Sequence, residues 1–237
     1  MDVIGLAADV SSRLKRVLAS AARLQEAVPD AVLAGDAAMA LRGRHRVTHS
    51  HEHVLADLVD RYETVLEAVE ETEGWATSVR ASKPPFTIMG RLGGVEAGLR
   101  QLRRSRPLET AKVKVGDEDE HEVTVPTLAE TLRIAAYLVI QRRLVRDFID
   151  LVALSDALGY DEAIKTLLDI DSYYEDRSGE EGSVLTSLLI ALADPKPRDI
   201  DVIDELIRYK GLEDRYRRWE VIVEICRILA PRLLEAD

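Results

Sequence analysis

Hydrophobic residues recur along the chain with the spacing of helices in some segments and of strands in others. Residues 3–28 carry apolar side chains every three or four positions, which predicts a long amphipathic helix. The short apolar run AVLAG (31–35) ends in a glycine and predicts a buried strand, followed by a helix that begins near Asp36. A second strand is expected in HVLADL (53–58), and the helical period returns over residues 59–71.

Between residues 75 and 126 the pattern changes to short strand-like segments. These are WATSVRA, FTIMGRL, VEAGLRQL, ETAKVKV and HEVTVP, separated by prolines, paired glycines and an acidic turn. After Pro126 every segment has helical spacing, and Gly159 is expected to end the second of these helices. The pattern predicts an α+β protein with an α/β region over residues 1–125 and a helical region over residues 126–237.

Composition and charge narrow the class of protein. Hydrophobic residues make up 46% of the chain but aromatic residues only 5%, so the core must be aliphatic. The single cysteine, Cys226, excludes an internal disulfide and fits a reducing compartment. The start of the chain lacks the features of a signal peptide and no apolar run approaches a membrane span, so we expect a cytoplasmic protein without membrane contact. A net charge of −11 argues against a general nucleic-acid coat, although basic clusters at 42–46, 100–106 and 141–146 leave room for a local basic groove.

The stretch RHRVTHSHEHV is the most unusual in the sequence because it holds three alternating histidines. On a strand, His49, His51 and His53 would share one face. A structural zinc site needs four Cys or His ligands in two pairs, and the sequence has no second pair. Polar residues on one strand face are therefore the preferred interpretation over a zinc site.

The opposite face of the same strand would carry Ser50 and Glu52. Two carboxylates at this spacing on a strand are an arrangement that phosphoryl-transfer enzymes use to hold two magnesium ions. Ser50 is neutral and is a weaker magnesium ligand than an aspartate. Upstream, Gly35 opens a predicted helix whose backbone N–H groups could approach a triphosphate, but Asp36 places an anion there. A helix cap explains Asp36 equally well.

The segments VLAGDAAMALRGRHRVTHSHEHVLADL, TIMGRLGGVEAGLRQL and VPTLAETLRIAAYLVIQRRLVRDFIDLVALSDALG occur in an order that resembles the nucleotidyltransferase-like AbiEii/AbiGii toxin family, over residues 30–160. The resemblance implies a small mixed sheet flanked by helices and followed by a helical C-terminal bundle. It implies that active members use magnesium to transfer a nucleotide from a nucleoside triphosphate to RNA such as tRNA, or to a protein. Such members often form the toxin half of a toxin–antitoxin pair, so an antitoxin is a further expected partner.

The family pattern maps onto this chain with several departures. The chain has Gly35 and Asp36 in place of Gly-Gly or Gly-Ser, Ser50 and Glu52 in place of Asp-x-Asp, and Ala135 in place of a lysine. The late element Arg-Asp-x-x-Asp is kept. The resemblance thus implies these candidates: catalytic Glu52, Arg146, Asp147 and Asp150; nucleotide-binding Gly35, Asp36 and Arg46; metal-binding Ser50, Glu52 and Glu96.

Three functional interpretations follow from these departures. The chain is a working nucleotidyltransferase in which Glu52, Glu96 and Asp147 hold the metal, a pseudo-enzyme that keeps the fold without turnover, or a scaffold that binds a partner such as an antitoxin. Each departure removes charge from the metal, adds repulsion to the phosphates or removes a phosphate-neutralising cation. We therefore favour the family's fold with reduced or absent catalysis, and we expect magnesium and triphosphate to bind weakly or not at all.

Overall fold

The structure is a computed structural model that describes residues 8–104, 106–115, 121–174 and 182–236. The chain forms two compact units. The sheet unit comprises Met1–Leu41 and Val47–Thr127, and the helical unit comprises Arg42–Arg46 and Leu128–Asp237. The short segment Arg42–Arg46 therefore groups with helices that follow it by more than 80 residues, which the sequence pattern did not predict.

A mixed five-stranded sheet organises the sheet unit, as the resemblance predicted. The elements of the unit are α1 (Ala8–Ala27), β1 (Val32–Ala34), α2 (Gly35–Gly43), β2 (Ser50–Leu55), α3 (Tyr62–Glu70), β3 (Trp75–Thr77), β4 (Thr87–Leu92), β5 (Val95–Gln101), β6 (Thr110–Val115) and β7 (His121–Pro126). The strands of the sheet have the order β1-β2-β5-β4-β3, and every neighbouring pair is antiparallel except β2 with β5. Strands β6 and β7 form a separate antiparallel pair, and the acidic turn between them lies outside the described residues.

The core of this unit is aliphatic, as the composition predicted. The apolar stripe of α1 packs into it through residues that include Leu14, Leu18 and Leu24. Strand β2 alternates strictly, so that His51, His53 and Leu55 are buried and the residues between them are half-exposed. This alternation gives the strand a core face and an open face.

Helices make up most of the described part of the helical unit, in agreement with the spacing after Pro126, and an isolated antiparallel bridge joins Arg46 to Leu212. The helices are α4 (Leu128–Gln141), α5 (Val145–Leu158), α6 (Tyr160–Leu168), α7 (Val184–Ala193) and α8 (Trp219–Ala236). Helix α5 ends at Gly159, which has a φ of 85° and donates its N–H to the Ser155 carbonyl oxygen. None of the helices in the described part of either unit is long and apolar enough to cross a membrane.

One segment that was expected to be an α-helix forms a 3₁₀ helix instead. It spans Ile200–Arg208, and two shorter 3₁₀ turns occupy Ile170–Ser172 and Asp214–Arg217. Its apolar residues Ile200, Ile203 and Leu206 recur every three positions, which matches the three residues per turn of a 3₁₀ helix.

Candidate functional site

The open face of the sheet carries the residues that were predicted to bind metal. Ser50 and Glu52 lie on it together, and this confirms that they share the strand face opposite the histidines. In the parallel pairing of β2 with β5, Ser50 is in register with Glu96 and Glu52 is in register with Gly98. Residues in register point to the same side of a sheet, so Glu96 also belongs to this face.

Glu52, the carboxylate that was expected to bind a metal ion, forms a bidentate ion pair. Glu52 accepts from Arg100 through both oxygens, with Oε1–Nη2 at 2.8 Å and Oε2–Nε at 2.9 Å. Arg100 follows Gly98 by two residues on β5, so its side chain lies on the same face. The hydrogen bond to Glu52 raises the pKa of Arg100, with partial burial acting in the opposite direction. The charge of Glu52 is therefore already compensated by a cation from the neighbouring strand.

The other two metal candidates are also weak ligands. Ser50 offers only a neutral hydroxyl as a ligand. Its carbonyl oxygen is already in use, because it accepts a hydrogen bond from Thr48 Oγ1 at 3.1 Å. Glu96 Oε1 accepts from Arg91 Nη2 at 3.2 Å, and both of these side chains are more than 60% exposed. An exposed pair of this kind contributes little stability and is screened by salt.

Two carboxylates of the chain lie at or near the N-terminus of α2. Gly35 begins the helix with a φ of 60°, a conformation that favours glycine, and a Cβ there would lie 3.9 Å from Glu52 Oε2. Asp36 occupies the first turn. Because a helix N-terminus carries partial positive charge, Asp36 supplies there the negative charge that a phosphate would otherwise bring, and the Glu52–Arg100 pair lies close to the same end.

The donor set of the open face does not fit a magnesium ion. Magnesium requires hard anionic oxygen ligands in a near-octahedral arrangement. This face offers the neutral hydroxyl of Ser50, the Arg100-bound carboxylate of Glu52 and the Arg91-bound carboxylate of Glu96. Within the described ranges, no group of three or more His, Cys, Asp or Glu side chains is placed to hold a metal ion.

The core face of β2 holds two neutral histidines. His51 Nε2 lies 3.0 Å from Ser20 Oγ, which itself donates to the Leu92 carbonyl oxygen, so His51 must be the donor to Ser20. His53 is fully buried, and neither of its ring nitrogens has a hydrogen-bond partner among the described residues. The two rings meet edge to face with centroids 5.3 Å apart.

Burial keeps both of these imidazoles uncharged. It lowers the pKa of His51 to about 4. It lowers the pKa of His53 well below the usual value, with a smaller contribution from His51. His49 lies outside the strand and is exposed, so only two of the three alternating histidines share the core face.

The late element of the family pattern lies in the helical unit, where Asp150 is buried. Its Oδ1 accepts from His45 Nε2 at 2.7 Å and from Arg46 Nε at 2.6 Å, and its Oδ2 accepts from Arg46 Nη2 at 2.9 Å. Burial alone would raise the pKa of Asp150, but the charges and hydrogen bonds of Arg46 and His45 hold it well below its usual range. The guanidinium of Arg46, expected at a nucleotide, is bound to this carboxylate.

The other acidic residue of that element, Asp147, supports the start of α5. Its Oδ2 accepts from the Leu144 backbone N–H at 3.0 Å, and its Oδ1 pairs with Arg142. Burial raises the pKa of Asp147, and the pair with Arg142 opposes this shift. Arg146 is exposed in the first turn of the same helix. Asp147 and Asp150 therefore both make structural contacts within the helical unit, and their catalytic role stays a prediction.

The position at which the family pattern has a lysine is buried in this chain. Ala135 is 1% exposed within α4. Arg133, the nearest cation in the sequence, donates from Nη1 to Glu130 Oε2 at 3.0 Å, and its Cζ lies 3.9 Å from the centroid of the Tyr173 ring. Thr127 directly precedes α4 and donates its N–H to the Glu109 carbonyl oxygen.

The structure divides the candidates between the two units. The sheet unit holds Gly35, Asp36, Ser50, Glu52 and Glu96, and the helical unit holds Arg46, Arg146, Asp147 and Asp150. Sequence reasoning did not identify the partners Arg100 and His45. Arg100 lies in a basic cluster noted in the sequence, but only the register of β2 with β5 pairs it with Glu52. No signal in the sequence connects His45 with Asp150.

Solved structures resemble the chain over nearly its whole length. The nucleotidyltransferase toxin MenT4 from Mycobacterium tuberculosis matches with a TM-score of 0.58 and 17% identity, covering 99% of this chain and 88% of that one. JHP933 from Helicobacter pylori matches with a TM-score of 0.51 and 10% identity, covering 98% and 96%. A candidate nucleotidyltransferase from H. pylori matches at 0.50 with 12% identity, covering 98% and 99%.

The chain has a nucleotidyltransferase-like fold. This agrees with the small mixed sheet flanked by helices and the helical C-terminal part that the resemblance implied. No family model matches the chain, so the narrower assignment to AbiEii-type toxins stays a prediction.

Curated proteins with similar sequences are much longer than this chain. The mycolic acid-containing lipids exporter MmpL11 of Mycolicibacterium smegmatis is 34% identical over 134 residues, which cover 56% of this chain and 13% of the exporter. The heme uptake protein MmpL11 of M. tuberculosis is 28% identical over 236 residues, which cover 95% of this chain and 23% of that protein. The chain thus spans less than a quarter of the length of these relatives.

Proposed function

We propose that this chain is a nucleotidyltransferase-fold protein, of the type represented by the AbiEii-type and MenT4 toxins, in which nucleotide transfer is reduced or lost. The observation that carries the proposal is the bidentate pair of Glu52 with Arg100 on the open face. The guanidinium already compensates the charge of Glu52, so a metal ion would have to share that carboxylate with Arg100. With Ser50 beside it in place of a second carboxylate, the face offers a metal ion little anionic charge.

The charges around the helix N-terminus support the same conclusion. A triphosphate that approaches Gly35 would meet Asp36 in the first turn of the helix and, close by, the Glu52 carboxylate with its partner Arg100, whereas transfer chemistry needs cations that are available to the phosphates. Losing one group that stabilises the transition state commonly costs about 2.7–4 kcal/mol, and losing several reduces the rate severely although not additively. In place of turnover, the protein would act by binding a partner, such as an antitoxin.

Calorimetric titration with each nucleoside triphosphate, with and without magnesium, tests this proposal. We expect no binding that depends on magnesium. An informative control is Arg100→Gln, which frees Glu52 without adding a ligand and should not create magnesium dependence by itself. Tight magnesium-dependent binding by the wild type would contradict the proposal and favour an active enzyme whose metal is held by Glu52 and other carboxylates.

The MmpL11 relatives favour a second candidate, a module that serves a membrane transport protein. The support is that 95% of this chain aligns with 23% of a protein described as a heme uptake protein. A region of this size without catalysis would contribute by binding rather than by chemistry. Replacing the matching region of the M. smegmatis exporter with this chain should preserve export of mycolic acid-containing lipids, whereas deleting the region should impair it. Equal export from the deletion and the replacement would contradict this candidate.

A further inference from the structure

Between the start of α3 and the turn that precedes β4 lies an open groove in the sheet unit, the α3 groove. Residues 59–64 line one side of it and Pro84 and Pro85 line the other, and its volume is about 370 Å³. Ligand pockets commonly measure about 300–1,000 Å³, so this groove is at the small end of the range and suits a single long side chain.

The walls of the α3 groove are largely apolar and are held in place by the fold. Val59 is 38% exposed, and its backbone N–H donates to Gln101 Oε1 at 2.9 Å. Tyr62 is only 7% exposed, and its hydroxyl donates to the Thr87 carbonyl oxygen at 3.5 Å, so its polar end is already engaged within the unit. With the two prolines, these residues form a surface along which an aliphatic stem can lie.

The rim of the α3 groove is acidic. Asp60 and Glu63 line the groove and are exposed, and Glu67 lies one turn after Glu63 on the same face of α3. In the part of the chain that the structure describes, none of these three carboxylates has an ion-pair partner. Apolar walls beside unpaired carboxylates match a side chain that has an aliphatic stem and a cationic end.

The positive charges near the groove do not cancel those of the rim. Arg61 Nη2 donates to Asp57 Oδ1 at 2.8 Å and also pairs with Asp30, so two carboxylates already compensate its charge. Lys83, in the turn before β4, is exposed and adds a single charge. The N-terminus of α3 carries partial positive charge, which Glu63 in its first turn offsets. The groove therefore favours a cation over an anion.

We propose that the α3 groove binds a protein partner through an arginine side chain, whose stem lies against Val59 and Tyr62 and whose guanidinium lies between Asp60 and Glu63. Arginine is enriched among the residues that anchor protein interfaces, and its planar guanidinium pairs well with carboxylates. A nucleic acid is a poor occupant because the same carboxylates repel phosphates. The proposal does not depend on whether the open face binds nucleotides.

Titration of the full chain with capped tripeptides, followed by the NMR shifts of its backbone amides, tests this site. The peptide Ala-Arg-Ala should shift the amides of residues 59–64 at physiological ionic strength, and its binding should weaken as salt is added. Replacing the arginine by norleucine keeps an aliphatic stem but removes the charge, and replacing it by glutamate reverses the charge. Both of these peptides should bind about tenfold more weakly or not at all.

Variants of the chain separate the groove from general attraction to an acidic protein. Asp60→Asn with Glu63→Gln should weaken binding of Ala-Arg-Ala about fivefold or more. Glu220→Gln with Glu224→Gln is the matched control, because it changes the net charge equally through two exposed residues of α8 and should leave binding unchanged. Val59→Ser should also weaken binding, because it removes apolar surface from the wall. Amide shifts that are unchanged away from the groove establish that each variant is folded.

Three results would overturn the proposal. The first is no binding of Ala-Arg-Ala at residues 59–64. The second is an equal loss of binding in the α8 control, or shifts spread over the acidic residues of both units, since either would show attraction by net charge alone. The third is tighter binding of the glutamate peptide, which would mean that the start of α3 attracts anions.

Discussion

Glu52 and Asp150 are both carboxylates that were predicted to be catalytic, but their surroundings are opposite. Glu52 lies on an open sheet face, where its side chain is 37% exposed and has one cationic partner. Asp150 has a side chain that is 3% exposed and accepts three hydrogen bonds from two residues. An exposed pair can be rearranged at little cost, whereas a buried carboxylate between two buried donors is fixed by the fold. Both aspartates of the segment Arg146–Asp150 therefore make contacts within the fold of the helical unit.

Removal of Asp150 should have the largest effect on stability. Asp150→Ala leaves Arg46 and His45 buried without their acceptor, so we expect the free energy of unfolding of the helical unit to fall by about 3–5 kcal/mol. Urea unfolding followed by Trp219 fluorescence, in a Trp75→Phe background, reports this unit alone because each unit holds one of the two tryptophans. Glu96→Ala is the control and should be nearly neutral. A loss below about 1 kcal/mol for Asp150→Ala would mean that the buried Asp150 contributes no more to stability than the exposed Glu52.

Acid should destabilise the sheet unit through its buried histidines. An unfolded histidine has a pKa of about 6.5, whereas folded His51 and His53 stay unprotonated at that pH. Their burial therefore causes no loss of stability above about pH 6.5. Stability should fall between about pH 6.5 and pH 4 by up to about 1.4 kcal/mol per pH unit for each histidine. Unfolding followed by Trp75 fluorescence, in a Trp219→Phe background, measures this slope. The same measurement on His51→Gln with His53→Leu should give a shallower slope, and an equal slope would show that other groups cause the acid sensitivity.

Asp147→Ala should have a smaller effect on the helical unit. The substitution removes the acceptor of the Leu144 N–H at the start of α5, a loss that typically costs about 0.5–2 kcal/mol. Asp147→Asn retains an oxygen that can accept this hydrogen bond and should recover part of the loss. If the asparagine variant were as unstable as the alanine variant, the pair with Arg142 would matter more than the cap.

The open-face pair should contribute least to stability. Glu52→Gln and Arg100→Gln should each change the free energy of unfolding by less than about 1 kcal/mol, because both side chains are more than a third exposed. The same urea titration with Trp75 as the probe checks this. A loss of several kcal/mol would mean that the pair is a structural contact like that of Asp150, and the comparison between the two sites would fail.

Local patterns in the sequence were sufficient to predict much of the fold. The alternation in β2 predicted that Ser50 and Glu52 share a face, and Gly159 predicted the end of α5. The partners of the candidate residues could not be predicted in the same way. Glu52 and Arg100 are 48 positions apart, and Arg46 and Asp150 are 104 positions apart. Contacts at such separations depend on strand register and helix packing, which hydrophobic spacing does not specify.

The sheet face also constrains how the site can be repaired. Restoring the metal carboxylate with Ser50→Asp should fail while Arg100 remains, because the guanidinium can pair with either carboxylate. Ala135→Lys should be avoided, since Ala135 is 1% exposed and a lysine there would bury a charge. The structure therefore favours Ser50→Asp together with Arg100→Gln and Asp36→Gly.

The most direct test of whether the open face has lost metal and triphosphate binding compares this triple variant with the wild type. Magnesium-dependent binding of each nucleoside triphosphate is measured by calorimetry, and transfer of radioactive label to RNA and to protein is measured in parallel. We predict no magnesium-dependent binding by the wild type and a clear gain by the folded triple variant. Equal magnesium-dependent binding by both proteins would contradict the account, and so would a folded triple variant that binds no triphosphate.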